Sequence, residues 1–239
     1  MRARLHTWLA CTLSLAACEP ETRDAARARA APDSSQIQIS SAADTSLSTR
    51  AGNSLPAEWK ITPGHFGPLT SQTSEDDLRR QFGDSVIAST RIELGEGETS
   101  PGTVLFPVDS TRRAEIIWQD TVSRRHPARV VLRGNRSLWH ADRRISLGTS
   151  LQELERLNTR PFTLAGFGWD YAGVVTDWNG GSLDSALATI KLYLDPAPAQ
   201  QQSTAYSQVL GDRDYASSLP AMQQLNPRVT QIFVDFEGP

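Results

Sequence analysis

Thr73-Ser74-Glu75-Asp76-Asp77-Leu78-Arg79-Arg80-Gln81-Phe82-Gly83 reads as one short helix with both ends marked. Thr73 or Ser74 supplies a side-chain oxygen for the free N–H groups of the first turn. Glu75, Asp76 and Asp77 place negative charge at the positive end of the helix dipole. Gly83 accepts the left-handed backbone that stops the helix. Leu78 and Phe82 lie one turn apart and give one apolar face. Strand-like runs follow at 85–94, 102–106, 114–118 and 128–132. Turn formers separate them: Gly95-Glu96-Gly97, Asp109-Ser110 and the stretch 123–127. A helix followed by four strands on short turns predicts an antiparallel sheet with the helix on one face.

The pattern then restarts. Arg144-Ile145-Ser146-Leu147-Gly148-Thr149-Ser150-Leu151-Gln152-Glu153-Leu154-Glu155-Arg156-Leu157-Asn158 echoes Lys60-Ile61-Thr62-Pro63-Gly64 and then 73–83. Each copy has an isoleucine, a glycine three residues on, a Thr-Ser cap, a short helix rich in acids, and a stop that tolerates positive φ, Gly83 or Asn158. The first copy carries an extra loop, 65–72, and its helical leucine is shifted by one position. Candidate strands follow at 162–166, 173–178, 188–194 and 230–236, with a helical turn at 218–225 opened by Pro220. The expected fold is α+β. Two tandem halves, 57–139 and 140–239, each place a short helix or helix pair on an antiparallel sheet. A capped helix after a glycine also arises without duplication, so both origins stay open at this level.

Working outward, residues 18–56 are dominated by Ala, Ser, Thr, Asp and Arg. Such a composition buries too little apolar surface to offset the entropy of ordering, which predicts a disordered tether. The alternative for Gln36-Ile37-Gln38-Ile39-Ser40 is a short strand docked on the domain. The first 17 residues have Arg2 and Arg4 ahead of an apolar run too short to span a membrane, as expected of a signal peptide. Leu15-Ala16-Ala17-Cys18 resembles the lipobox of bacterial lipoproteins. The resemblance implies cleavage before Cys18, a diacylglyceryl thioether on its sulfur, and a membrane anchor made by that lipid. Residue 19 is Glu and not Asp, which by the same resemblance implies the outer membrane of the cell envelope. An ordinary secretory signal is the alternative.

The phrase shared by the two helices, isoleucine, glycine, Ser or Thr, Glu-Leu and a terminal Asn or Gly, is similar to two kinds of envelope protein. These are the small outer-membrane-assembly lipoproteins and the repeats of β-lactamase inhibitor protein. The match covers 61–84 and 145–161. The resemblance implies a noncatalytic protein that acts through its surface. The chain departs from it in lacking an evident second helix and in having longer strands.

Composition excludes some classes. The net charge is -3 over 239 residues, with no basic stripe for nucleic acid. After cleavage the only cysteine is Cys18, so neither a disulfide nor a cysteine metal site is expected. His65, His126 and His140 have no ligand spacing, and no cofactor or metal is expected. No Gly-x-Ser-x-Gly turn or other nucleophile–base pair points to an enzyme, which leaves a hydrolase without support. Arg124-Arg125-His126, Arg133 to Arg136 and Arg143-Arg144 suggest a basic patch facing anionic headgroups or an acidic partner, or a solvated rim.

The candidate binding segment is 169–179, with Trp169, Asp170, Tyr171, Trp178 and Asn179. Aromatics beside a carboxylate and an amide can stack on a sugar and bind its hydroxyls, or anchor a protein partner. The same residues also suit a core plug followed by a turn. Alternation puts Phe167, Trp169 and Tyr171 on one face, but Gly168 and Gly173 break the register and turn Tyr171 outward, so Phe167 and Trp169 are expected inward and Tyr171 and Trp178 as the exposed pair. Two functions are expected of such a chain: protein binding, scaffolding or enzyme inhibition, and alternatively glycan binding.

Overall fold

The computed structural model describes residues 59–236. The signal segment, Cys18 and the 18–56 tether, with its possible strand at 36–40, lie outside the described residues.

The first stretch opens with a two-stranded ribbon, β1 (Ile61–Thr62) and β2 (His65–Phe66). Helix α1 (Glu75–Phe82) follows, and then β3 (Ile87–Gly95), β4 (Glu98–Leu105), β5 (Ala114–Asp120) and β6 (Arg125–Arg133). The later stretch contains α2 (Leu151–Asn158), β7 (Thr163–Ala165), β8 (Val175–Asp177) and β9 (Ile190–Asp195). It closes with α3 (Thr204–Ser207), β10 (Asp214–Ala216), α4 (Pro220–Leu225) and β11 (Arg228–Asp235).

The class is mixed α and β, mostly β. One antiparallel sheet has the order β3-β4-β5-β6-β11-β9, and a smaller one the order β10-β7-β8. The halves expected at 57–139 and 140–239 therefore do not build separate sheets. β11 pairs with β6, Phe233 opposite Val131, so strands from both stretches share one sheet. The physical reason is the edge. β6 would otherwise expose a row of unpaired backbone groups beside an apolar face, and β11 covers both. The small sheet is tied to β9 where the Leu194 N–H donates to Gly173 O at 3.0 Å. Gly173 must be glycine there: its φ is 67°, and a Cβ would stand 1.9 Å from Leu194 O.

The two corners where a helix meets the sheet have the same backbone frame. The Thr70 N–H donates to Thr73 Oγ1 at 2.9 Å, and the Ser146 N–H donates to Thr149 Oγ1 at 3.0 Å. Ser74 and Ser150 are the N-caps, each accepting at 3.2 Å from the N–H three residues on. The next amide in each corner reaches across to the carbonyl before the last strand of its stretch: Glu75 to Arg124 at 2.9 Å, Leu151 to Pro227 at 2.8 Å. Gly83 ends α1 with φ 89°, as expected. Asn158 does not end α2: it is the last helical residue, and Thr159, with φ 65°, takes the left-handed position. Asn158 is held in place by its amide. Nδ2 donates to Trp178 O at 2.9 Å and Oδ1 accepts from the Leu183 N–H at 3.1 Å, clipping the 178–183 loop to the helix.

Alternation along the strands decides what faces the helices. Val130, Leu132, Ile232, Val234, Leu192 and Leu194 turn inward and form one buried cluster with Leu78 of α1 and Leu151, Leu154 and Leu157 of α2. The intervening residues, among them Arg129, Arg133, Tyr193 and Phe233, point to the opposite face, which no helix of the described residues covers. Functional interest lies there.

Candidate functional site

The uncovered face is a groove because the β3–β4 hairpin bends over it. Ile92 lies against Gly102, where an added Cβ would meet Ile92 Cγ1 at 2.5 Å, so the missing side chain lets the hairpin close. At the tip, Arg133 reaches from β6 and donates from Nη2 to Glu93 O at 3.2 Å. The resulting cavity, about 370 Å³, has Glu93, Glu96 and Glu98 of the hairpin on one wall and Asp170 and Tyr171 on the other. Its floor is made by Arg129 and Arg133 of β6, Tyr193 of β9 and Phe233 of β11. It continues as a second hollow of about 280 Å³ over Ile117 and Val131.

The floor is a built array. The Tyr193 and Phe233 rings are 4.7 Å apart and tilted by 42°. The Arg129 and Arg133 guanidinium carbons lie 5.0 and 5.7 Å from the Phe233 centroid. Arg129 donates to Asp235 at 2.5 Å, and Arg133 pairs with Glu115 at 3.2 Å and donates to Gln231. Both guanidiniums are thus ion-paired within the fold, by carboxylates they share: Asp235 also faces Lys191 at 3.7 Å and Glu115 also pairs with Arg113 at 2.9 Å. Burial pushes the Tyr193 hydroxyl above its usual pKa; the Arg129 and Arg133 charges oppose this, Asp235 and Tyr171 add to it, and the net shift is upward. The groove can bind and orient a ligand; it contains no nucleophile beside a base.

The segment singled out in the sequence divides in two. Asp170 and Tyr171 stand on the groove wall, and Tyr171 is 54 % exposed. Trp169 is half-buried behind them, its Nε1 donating to Gly166 O at 2.9 Å and its ring edge-on to Tyr171 at 5.5 Å. Phe167 is buried, as alternation predicts. Trp178 corrects that expectation: it is buried, its ring 5.0 Å from Phe162, because the Asn158 clip draws residue 178 onto the helix. Asn179 belongs to a turn. With φ 54°, its N–H bonds Asp177 Oδ1 at 2.6 Å and its Nδ2 bonds Pro161 O at 3.1 Å. Neither Trp178 nor Asn179 lines the groove.

The expected basic patch does not form one surface. Arg124 precedes β6 and turns inward to Glu75, whereas Arg136 lies past the other end of that nine-residue strand. Arg143 donates to Leu157 O. Among the described residues no three His, Cys, Asp or Glu side chains gather as metal ligands, and no helix is long and apolar enough to cross a membrane.

Arg129, Tyr193 and Phe233 went unrecognised in the sequence, and Arg133 was read there only as part of a basic patch. Their signal was present but weak: large aromatics and arginines at the outward positions of strands whose inward positions were already apolar. Comparison with protein-family models, with curated proteins and with solved structures finds no match to this chain.

Proposed function

We propose that this chain is a noncatalytic binding or scaffolding protein of the cell envelope, engaging a protein partner or inhibiting an enzyme through the sheet-face groove. The observation that supports this is the uncovered groove itself. A six-stranded sheet has one face packed under helices and carries Tyr193 and Phe233 on the other, with Tyr171 on the groove wall beside them. Half-buried Tyr193 and Phe233 on the sheet and exposed Tyr171 on the wall, rimmed by charge, have the anatomy of a recognition surface. In this reading the protein is not an enzyme, takes no cofactor and does not bind nucleic acid. It is held to the outer membrane by lipid on Cys18 after removal of residues 1–17.

The reading extends to origin: 57–139 and 140–239 are tandem copies of one unit, a short helix packed on an antiparallel sheet. The matching corners support this. So does the strand order, in which β6 and β11, the last strands of the two stretches, lie side by side in one sheet. The resemblance to the repeats of β-lactamase inhibitor protein agrees with such a unit.

A glycan is the second reading, and one observation favours it. The exposed Tyr171 ring stands beside the Asp170 carboxylate, the pairing that stacks on a sugar and binds its hydroxyls. Trp178, buried, and Asn179, in its turn, no longer contribute to that reading.

A photocrosslinking residue at Tyr171, compared with one at Asp184, an exposed residue outside the groove lining, separates the readings in intact cells. One dominant protein adduct at 171 and none at 184 supports protein binding. No adduct at 171, together with retention on immobilised envelope glycan that Tyr171→Ala abolishes, supports the glycan. The anchor is tested apart: Cys18→Ala should move the protein from the detergent to the aqueous phase.

A further inference from the structure

Resting on the reading of the groove as a protein-binding face, we propose that its occupant is a basic segment of the partner, whose lysine or arginine side chains lie between the two acidic walls against Tyr171 and Tyr193. The argument is one of charge left over. Arg129 is answered by Asp235 at 2.5 Å and Arg133 by Glu115 at 3.2 Å. Glu93, Glu96, Glu98 and Asp170 all line the groove and are all exposed. None of their carboxylates makes an ion pair or hydrogen bond among the described residues. Asp235 and Glu115 are shared with Lys191 and Arg113, so the floor is paired but keeps some positive charge; the four unpaired wall carboxylates outweigh it and leave the groove with an excess of negative charge.

The aromatic rings add a second preference. Phe233 already has guanidiniums over its ring. No cation of the described residues lies over Tyr171 or Tyr193. A ring face beside uncompensated carboxylates favours a cation with an apolar stem, which describes lysine and arginine. A metal ion suits the site poorly, because the four carboxylates do not converge on one point. Acids on both walls suit a run of cations along an extended segment, and the steering they provide raises the encounter rate with such a partner.

The test uses the full chain in detergent and fluorescein-labelled hexalysine, with hexaglutamate as the opposite probe, read by anisotropy at low and physiological salt. Wild type is expected to bind hexalysine and not hexaglutamate. The combined variant Glu93→Gln, Glu96→Gln, Asp170→Asn should weaken binding about tenfold, roughly what three exposed ion pairs of ordinary strength amount to. The matched variant Asp76→Asn, Asp184→Asn, Asp212→Asn removes equal charge from exposed positions outside the groove and should change affinity less than about twofold. Tyr171→Ala, whose side chain is exposed, should weaken binding several-fold while the melting temperature stays put. Equal losses in the two triple variants mean attraction to bulk charge and overturn the proposal. So does binding of hexaglutamate, or of a glucosamine oligomer in place of hexalysine. A protein adduct at Tyr171 with no hexalysine binding overturns the basic segment and leaves the protein-binding groove standing. Absence of the adduct removes the groove reading itself.

Discussion

The corner around α1 and the corner around α2 share a backbone frame and differ in content. At the first helical position the α2 corner has Leu151, fully buried in the apolar cluster. The α1 corner has Glu75, 6 % exposed, at the same place in its frame. Its carboxylate accepts from Arg79 Nη2 at 2.6 Å, Arg124 Nη1 at 3.1 Å and Ser89 Oγ at 3.1 Å, and from Thr103. Thr103 in turn accepts from Trp118 Nε1 at 2.9 Å. The backbone of such a corner is therefore indifferent to whether oil or a charge network fills it. What changes is how each filling responds to truncation and to pH.

The largest effect is expected at Leu151. Leu151→Ala leaves a cavity among fully buried side chains and should cost about 2–5 kcal/mol by urea denaturation. A cost near 0.5 kcal/mol would mean that the α2 corner rests on its frame alone.

Glu75→Ala should cost less, about 1–3 kcal/mol. It strands Arg124 and the two hydroxyls, but Arg124 is about one-third exposed and water answers part of its charge. Glu75→Leu, which copies the other corner, should fall between wild type and the alanine variant. Leucine more stable than wild type would show that the charge network is kept for something other than stability.

The pH dependence sharpens the same contrast. Burial pushes the Glu75 carboxyl up, but Thr103, Arg79, the Arg124 charge and Ser89 outweigh it and hold the group below its ordinary 4.5. The folded value lies below the unfolded one. The stabilisation from Glu75 is therefore complete above about pH 4.5 and is lost as pH falls through the folded value. Wild type should lose more stability than Glu75→Gln between pH 5 and 3. Parallel curves would remove the network from the account of acid unfolding.

The caps should differ least. Ser74 takes part in a reciprocal box in which Asp77 also accepts from the Ser74 N–H at 2.8 Å, whereas Ser150 only accepts. Ser74→Ala should cost about 1–2 kcal/mol and Ser150→Ala about 0.5–1 kcal/mol, read from thermal melts. A reversed order would break the ranking of the corners.

Helices α1 and α2, their caps, the stop at Gly83, the helical turn at Pro220 and strands β3 to β9 and β11 were legible in the sequence; α3 and the short strands β1, β2 and β10 were not. Each legible element depends on hydrogen bonds and side-chain periods spanning a few residues. The stop at 158 was misplaced by one residue because the Asn158 amide is claimed by Trp178 and Leu183, far along the chain. Asp170 and Tyr171 were legible as a candidate surface, and Trp178 was misjudged for the same reason as Asn158. Only the tertiary structure decided that β11 lies between β6 and β9, and hence that Arg129, Arg133, Tyr193 and Phe233 share a floor. Strand neighbours are chosen by which edges and apolar faces remain to be covered once the chain has collapsed. That choice joins Val131 to Phe233 across roughly a hundred residues of sequence, where no local period reaches.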